Sequence, residues 1–380
     1  MFSNEELKED FSHLCSSQIY FNHASCGPMS RPVKNVLENL IKEKSKDEIN
    51  NYAKLVTVAS ETKQMIGEMI NCSPDRIAFV DNTTNGINII AQGVKLKKGD
   101  RILLNNAEFP ANVYPFLNLM KKGIEVDFIP SKNGIVTAED VLNSIKPETR
   151  LIAISFVQFL SGYKVDLEII GNCCRQKNII FSVDGIQGLG AVTLDVENFG
   201  IDFLSCGSQK WLLGLEGLAF IYINKSLQEK ISISNAGWLG VKDAWNLLDY
   251  NLNFRNSASR FQSGTINTFG VYALHSSLNL LKKYGFREIE DAVIFNSEYF
   301  INCLIDIGIE PILSKINKKY LSGIVSFKSQ DGEKIFNYLS EKNIICSFRE
   351  NHIRFSPHFY NTKQEIDIVV DELKKNINLS

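Results

Sequence analysis

The stretches NIIFSVDGIQGLG, residues 178–190, and DFLSCGSQKWLLGLEG, residues 202–217, decide the fold of this chain. Each begins with a short run of apolar and β-branched residues, which is typical of a buried strand, and continues into glycine and polar residues. Similar runs recur upstream and alternate with amphipathic segments. This alternation predicts an α/β fold with a large domain built on a mostly parallel seven-stranded sheet, covered by helices on both faces.

The predicted elements can be placed by residue number. Strands are predicted at residues 77–80, 101–104, 124–129, 151–157, 179–183, 202–205 and 218–223. Helices are predicted within residues 32–70 in two pieces, and at 84–93, 111–122, 138–145 and 167–177. Beyond residue 265, strands near 323–327 and 352–355 lie among helices at 268–284, 288–305 and 364–377. The chain is therefore divided into a large domain, residues 1–264, and a smaller α+β domain, residues 265–380, on which residues 1–30 are expected to pack.

Composition excludes several classes of protein. The net charge of −2 over 380 residues argues against a nucleic-acid or membrane-surface partner, because phosphate partners select a basic excess. No apolar run is long enough to span a bilayer, and the acidic start MFSNEELKED is unlike a secretory signal. The eight cysteines are scattered without metal-ligand spacing, which predicts no metal site and reduced thiols in a cytoplasmic protein.

Two charged residues follow predicted strands, at the edge of the sheet where open α/β proteins bind ligands. Asp184 ends the first strand, where a carboxylate can pair with a protonated ring nitrogen, as in enzymes that use pyridoxal phosphate (PLP). Lys210 follows the next strand among small and apolar residues, where a desolvated amine can attack an aldehyde. Taken singly, a turn aspartate and an amphipathic surface lysine remain alternative interpretations.

Other segments supply what such a cofactor needs. Thr83 and Thr84 open a helix after a strand, an arrangement that favours phosphate binding, although a plain N-cap is the alternative. Gly207 and Gln209, just before the lysine, are further candidates for the phosphate site. Phe109 falls where a ring could stack on the pyridine, with a core position as the alternative.

An arginine is placed to bind a carboxylate. Arg354, in RENHIRFSPHFYNT, lies in a predicted strand of the small domain, where a guanidinium can clamp a carboxylate with two hydrogen bonds. Arg349 is a second candidate, and a surface salt bridge is the alternative. The sequence does not match a dinucleotide-binding motif, because the glycines of GIQGLG are in the wrong order for G-x-G-x-x-G.

The order of these motifs resembles the class V aminotransferase family of PLP enzymes, which includes cysteine desulfurases, kynureninase and isopenicillin N epimerase. The resemblance runs from YFNHASCGPMS, beginning at residue 20, to the end of the chain. Its most specific element is VDGIQ, with Lys210 lying 23 residues after Gln187. It implies PLP fold type I and a homodimer with the active site at the interface.

The resemblance also implies roles for individual residues. Lys210 would hold PLP as a Schiff base and move the Cα proton of the external aldimine. Asp184 would pair with the pyridine nitrogen, and Gln187 would contact the phenolic oxygen. Gln158, in SFVQFLSG, would lie near the ring oxygen or the substrate.

Three further roles are implied at the ends of the cofactor and the substrate. Thr84, with Thr83 beside it, would hold the phosphate. Thr265, in RFQSGTINTFG, would reach that phosphate from the neighbouring subunit. Arg354 would bind the α-carboxylate of the substrate.

Departures from cysteine desulfurases argue against a persulfide-forming enzyme. Phe109 and Gln209 stand where desulfurases carry histidines. Only SFRENHI separates Cys346 from Arg354, which is too short for the mobile loop that presents a desulfurase's nucleophilic cysteine. Cys26 and Cys206 lie near predicted site loops, but neither occupies that position.

The sequence therefore predicts a PLP enzyme acting on the α-amino group of a small amino acid, by transamination or β-elimination. The alternatives are a cysteine desulfurase or C–S/selenocysteine lyase, an amino-acid epimerase, and a PLP-binding protein without catalysis. Specificity is expected from loops at residues 23–30, 235–265 and 346–356. The candidate specificity residues within or beside them are His23, Trp238, Arg255 and Arg260.

Overall fold

A computed structural model of the chain describes residues 4–377. The strands are β1 (Ile19–Tyr20), β2 (Ile77–Val80), β3 (Arg101–Asn105), β4 (Glu125–Ile129), β5 (Thr149–Ser155), β6 (Ile180–Asp184), β7 (Phe203–Gly207), β8 (Ala219–Ile223), β9 (Val325–Lys328), β10 (Ile344–Ile345), β11 (Ser347–Arg349) and β12 (His352–Phe355). The α-helices are α1 (Asn4–Asp10), α2 (Arg31–Lys46), α3 (Tyr52–Ile70), α4 (Thr83–Gly93), α5 (Tyr114–Leu117), α6 (Ala138–Asn143), α7 (Leu167–Lys177), α8 (Lys225–Lys230), α9 (Thr268–Tyr284), α10 (Phe286–Asp306), α11 (Gly332–Glu341) and α12 (Lys363–Ile377).

The central sheet has seven strands in the order β2-β8-β7-β6-β5-β3-β4. All pairs run parallel except those that β8 makes with β2 and β7. Every residue of β7 and β8 is buried, as expected for strands covered on both faces. The predicted α/β fold with a mostly parallel seven-stranded sheet is confirmed.

One predicted helix is broken. Residues 111–122 form only the short helix α5, flanked by 3-10 turns at Pro110–Asn112 and Met120–Lys122. Proline has no N–H to donate within a helix, so Pro110 and Pro115 confine helical hydrogen bonding to short pieces. Gly123, with a φ of 78°, ends the segment. The expectation of one continuous helix here is wrong.

The C-terminal part of the chain builds its own sheet. Strands β11, β12 and β9 pair in that order, all antiparallel. Strand β1 pairs in parallel with β10, which joins the N-terminal segment to this part of the fold. Helix α9, just after the predicted boundary, packs on α2 and α3. The division into residues 1–264 and 265–380 stays a prediction.

Parallel strands bring their carboxyl ends to one edge of the sheet. Asp184 ends β6 and lies in register with Ser155 at the end of β5 and with Ser205 in β7. Gly207 ends β7, so Lys210 follows at the same edge.

Between residues 4 and 377, no helix is long and apolar enough to cross a membrane. The same residues hold no cluster of His, Cys, Asp or Glu able to bind a metal ion.

Candidate active site

A cavity of about 260 Å³ lies at this edge, between the central sheet and the β11–β12 hairpin. It gathers most of the residues that the sequence nominated. Those lining it are Thr83, Thr84, Phe109, Asp184, Gln187, Gln209, Lys210 and Arg354. Residues far apart in sequence thus share one small cavity, and their individual roles remain predictions.

Asp184 presents a buried carboxylate to the cavity. Its side chain is 2% exposed, and its Oδ1 atom accepts a hydrogen bond of 2.9 Å from the backbone N–H of Ile186. Burial raises the pKa of Asp184, and the nearby carboxyl of Glu108 raises it further. A cationic partner at this carboxylate would therefore be held strongly, because it relieves the cost of burying the charge.

Lys210 presents an amine to the same cavity. Its Nζ lies 5.7 Å from the centroid of the Phe109 ring, and no hydrogen bond to Nζ is present within residues 4–377. Burial lowers the pKa of Lys210, and the charges of Arg354 and Arg349 lower it too, while Asp184 opposes them. The amine is thereby more readily available in its neutral, nucleophilic form.

A phosphate-sized site lies at the start of α4. The Oγ1 atom of Thr83 is buried without a hydrogen-bond partner in the described part of the chain. A Cβ added to Gly207 would come within 3.2 Å of that oxygen and 2.5 Å of the Gln209 Oε1, so a side chain there would fill the space. The free donor and the first N–H groups of a helix suit an anion such as the phosphate of PLP.

The site therefore fits the cofactor that the sequence predicts. Thr83, Thr84 and Gln209 could hold its phosphate, Asp184 its ring nitrogen and Lys210 its aldehyde, and these roles stay predictions. The ring of Phe109 is 38% exposed at the cavity, where it can face a flat ligand. It contacts Phe159 edge to face at 5.4 Å, which steadies its orientation.

We expect the substitution Thr83→Val to weaken PLP binding by about tenfold or more, since a hydrogen bond to a charged group contributes about 1.5–3 kcal/mol. Valine keeps the shape of threonine and removes the donor. The affinity is measured by titrating the protein with PLP and following absorbance. Thr62→Val is the control, because Thr62 is also buried in a helix but donates to the Val58 carbonyl. Equal affinity of Thr83→Val and wild type would exclude Thr83 from the phosphate site.

Arg354 is a buried guanidinium at the other side of the cavity. It is 1% exposed and donates to the Ser347 Oγ, the Phe159 carbonyl and the Ser25 Oγ at 3.1, 2.7 and 3.0 Å. All these acceptors are neutral, and none of the ion pairs among the described residues includes it. A buried cation without a counterion is suited to bind a carboxylate.

Gln187 is fixed by two neighbours. Its Nε2 donates to the carbonyl of Ala24 at 2.9 Å, and its Oε1 accepts from the Trp211 indole at 3.0 Å. One amide hydrogen is left for a ligand. Its predicted contact with the phenolic oxygen stays a prediction.

Three of the predicted cofactor-binding residues are not in the cavity lining, namely Gly207, Gln158 and Thr265. The buried amide of Gln158 exchanges hydrogen bonds with the backbone of Val136 at 3.3 and 3.4 Å, and its predicted place near the ring oxygen stays a prediction. Thr265 lines a different cavity, together with Asp81 and Asn267. The prediction that Thr265 contacts the phosphate in the neighbouring subunit's site stays a prediction.

Several site residues were not nominated from the sequence. Ser25 accepts hydrogen bonds from Arg354, and Ala24 and Phe159 supply carbonyl acceptors. Glu108 is buried beside Asp184 and accepts hydrogen bonds from the side chains of Asn105, Asn112 and Ser155. Glutamate is usually exposed, so only its position just before Phe109 in NNAEFPAN hinted at this role.

The thiols near the site are poor nucleophiles. Burial raises the pKa of Cys346 to about 12 and that of Cys26 to about 11, and it raises the pKa of Cys206 as well. Between Arg349 and His352, which pair across the hairpin, only Glu350 and Asn351 form the turn. The connection between β11 and β12 is thus a two-residue hairpin turn, with no longer loop between Cys346 and Arg354.

The four candidate specificity residues do not line the cavity either. His23 is fully buried, where it stacks on Trp211 and bonds to the Ser356 carbonyl at 2.7 Å. The Trp238 ring packs on the Trp245 ring. Arg255 donates a hydrogen bond to the Leu239 carbonyl, and the Arg260 guanidinium lies over the Phe254 ring. Their expected role in specificity is not supported within one chain.

Because of its buried histidines, we expect the protein's free energy of unfolding to fall as the pH is lowered. Burial lowers the pKa of His358 to about 4 and holds that of His23 well below 6.5, whereas unfolding restores the ordinary value. The unfolded chain then binds more protons, so each imidazole removes up to ~1.4 kcal/mol per pH unit as pH falls from about 6.5 toward 4.

The free energy of urea unfolding, measured from pH 7 to pH 4.5, checks this. We expect the decline to be shallower in His358→Gln than in wild type, and unchanged in His275→Gln, a partly exposed histidine of α9. If the free energy of unfolding fell equally with pH in all three proteins, the proposed contribution of His358 would be contradicted.

Comparison with known proteins gives consistent matches. The model of the family described as Aminotransferase class-V matches residues 33–369. The chain is 27% identical over 376 residues to a Bacillus subtilis (strain 168) protein named Uncharacterized aminotransferase YcbU, covering 97% of this chain and 98% of that protein.

Solved structures agree on the fold. The apo form of a cysteine desulfurase from Thermococcus onnurineus NA1 matches with a TM-score of 0.90 and 20% identity, over 100% of this chain and 99% of that chain. The cystine C–S lyase C-DES, in complex with its product cysteine persulfide, matches with a TM-score of 0.86 and 23% identity, over 96% and 99% of the two chains. At these identities the likeness establishes the fold.

Proposed function

The chain belongs to the aminotransferase class-V family, and on that premise we propose that it labilises the Cα–H bond of a small amino acid, leading to transamination or β-elimination. It is a PLP-dependent enzyme of fold type I. The observation that carries the proposal is that the half-buried Lys210 lines one cavity with the buried Asp184 and Arg354. These three groups supply a base, a partner for a ring cation and a carboxylate clamp.

When bound, PLP supplies an aldehyde carbon that links to an amine and a ring that accepts the electron pair released at Cα. The chain's own residues bind the substrate, orient it and move the proton. Arg354 binds the α-carboxylate and fixes the orientation of Cα. Lys210 Nζ accepts the Cα proton, which its lowered pKa favours near neutral pH. Asp184, buried and shielded from water, would accept a hydrogen bond from the protonated ring nitrogen and so keep that proton in place.

The two reactions differ in what happens after the Cα proton reaches Lys210. In transamination the proton is returned to another carbon and the amino group passes to a keto acid. In β-elimination a leaving group departs from Cβ with its electron pair, and ammonia and a keto acid are released. Both need only the groups named above, and neither needs a nucleophilic thiol.

Product analysis on a panel of amino acids tests the proposal. Keto acid formed only in the presence of an added keto-acid acceptor, without free ammonia, identifies transamination. Keto acid with an equal amount of ammonia identifies β-elimination. Loss of optical activity without keto acid would identify an epimerase, and failure to exchange the Cα proton of any amino acid with solvent deuterium would contradict the proposal.

A second candidate is C–S bond cleavage without a protein thiol. It is favoured by the likeness to the cystine C–S lyase C-DES, combined with the raised pKa values of Cys26 and Cys346. Those pKa values leave little thiolate at neutral pH, which disfavours a persulfide on this chain. Release of pyruvate and sulfur-containing product from cystine, undiminished in a Cys26→Ser and Cys346→Ser double variant, would support it.

We further propose that the chain works as a homodimer in which Thr265 reaches the phosphate site of the partner subunit. Thr265 lies outside the cavity of its own chain, as that role requires. The nearby loop also exposes large apolar side chains, with Trp245, Leu248 and Tyr250 being 64%, 84% and 89% exposed. Apolar surface of this kind is typical of a subunit contact.

A further inference from the structure

A second arginine lines the cavity beside Arg354. Arg349 ends β11, and Ser347, two residues before it, pairs with Arg354 on β12. Because strand side chains alternate between faces and paired residues share a face, Arg349 and Arg354 lie on the same face of the hairpin. Their Nη2 atoms lie 3.5 and 3.0 Å from one hydroxyl, the Oγ of Ser25.

The two guanidinium groups lack anionic partners among the residues that the structure describes. Neither takes part in the ion pairs formed among residues 4–377, and the acceptors of Arg354 are all neutral. Asp184 is the one acidic residue among those that line the cavity, and the proposed function assigns it to the ring nitrogen. An α-carboxylate neutralises one arginine, so one positive charge remains at this end.

The backbone holds Arg349 in place at some cost. Glu350 and Asn351 form the turn with φ values of 49° and 60°, in the left-handed region that non-glycine residues seldom occupy. Two such residues in succession fix a tight hairpin in which Arg349 pairs directly with His352. Strain of this kind persists where surrounding structure requires it and is frequent at ligand sites.

We propose that Arg349 forms a second anion subsite and that the preferred substrate is a short dicarboxylic amino acid, aspartate or glutamate. The inference rests on the proposed function for its α-carboxylate and Cα. The second acid must be close to the first, because both guanidinium groups reach the same serine hydroxyl. Aspartate and glutamate carry no leaving group on Cβ, so this subsite favours transamination of the two reactions.

Binding of simple acids tests the subsite independently of turnover. Succinate and butyrate have the same chain length and differ by one carboxylate. We expect calorimetric titration of the PLP-loaded protein to give a succinate affinity about tenfold or more above that of butyrate, as for a gained charge-assisted hydrogen bond. In Arg349→Gln the difference disappears, and in Arg349→Lys part of it remains because the charge is kept.

Two further measurements complete the test. The ratio of kcat/KM for aspartate over asparagine should fall by about tenfold or more in Arg349→Gln. Arg287→Gln is the matched control, since Arg287 is an exposed arginine of α10 with 73% side-chain exposure, and it should keep the wild-type ratio. Arg349 is exposed and makes a single hydrogen bond of 3.5 Å, so its substitution should not disturb folding.

The outcomes separate this inference from the proposed function. Equal affinities of the wild type for succinate and butyrate, or an unchanged ratio in Arg349→Gln, would overturn the subsite. Preference for succinate in a protein that turns over no amino acid would support the subsite and contradict the proposed function. Turnover of neutral amino acids by a protein that binds succinate no better than butyrate would support the proposed function and contradict the subsite.

Discussion

Replacing Lys210 with alanine should lower turnover by roughly 10³-fold, since a positioned acid–base group contributes about 10²–10⁴ in rate. The loss follows from two functions of the same nitrogen. In the proposed mechanism Lys210 Nζ links to the cofactor and also accepts the Cα proton. Alanine removes both while leaving the backbone and Trp211 in place, and the rate is measured on the best substrate of the panel.

Lys63 provides a matched control for this substitution. It is a second half-buried lysine, and desolvation lowers its pKa to about 8, but it lies outside the active-site cavity. There its Nζ donates to Ser259 and Gln262 at 2.9 and 2.7 Å. Lys63→Ala should keep most of the turnover even if it lowers the unfolding temperature. Full turnover in Lys210→Ala would contradict the proposed mechanism.

Replacing Asp184 with asparagine should lower turnover by roughly 10²- to 10³-fold, because removing one partner of a buried ion pair costs about 3–5 kcal/mol. Asparagine keeps the size of the side chain and can still accept from the Ile186 N–H. It cannot hold a proton on the ring nitrogen, so the electron pair released at Cα is stabilised less. Turnover and PLP affinity, both measured on folded protein, check the prediction.

Asp202→Asn is the control for that substitution. Asp202 is a half-buried aspartate that accepts hydrogen bonds from the Phe181 N–H and the Asn224 amide, away from the cavity. Its substitution should lower stability and leave turnover near that of wild type. If both variants lost the same fraction of turnover, Asp184 would have no special relation to the cofactor.

Much of the site could be predicted from the sequence, because the residues at strand ends are local in sequence. Asp184 and Lys210 each follow a clear apolar strand, and parallel strands place such residues at one edge without knowledge of any side-chain contact. The place of Thr83 was predictable for the same reason, since it opens α4 after β2, and phosphate binding there stays a prediction.

Contacts between distant parts of the chain could not be predicted. Ser25 meets Arg354 across 329 positions, and no periodicity links them. The hydrogen bonds of Gln158 to the Val136 backbone could not be predicted either, because they join segments 22 residues apart without a shared periodic pattern. Burial of His23 and Glu108 likewise depends on tertiary packing, which overrides the usual exposure of polar residues.

The central claim is a covalent link between PLP and the Nζ of Lys210, and reductive trapping tests it most directly. The PLP-loaded native protein is treated with borohydride and digested, and the peptides are identified by mass spectrometry. The account predicts that the peptide containing Lys210 carries the mass of the reduced coenzyme, and that Lys63 does not. An unlabelled Lys210 peptide from a protein that binds PLP, or label on a different lysine, would contradict it.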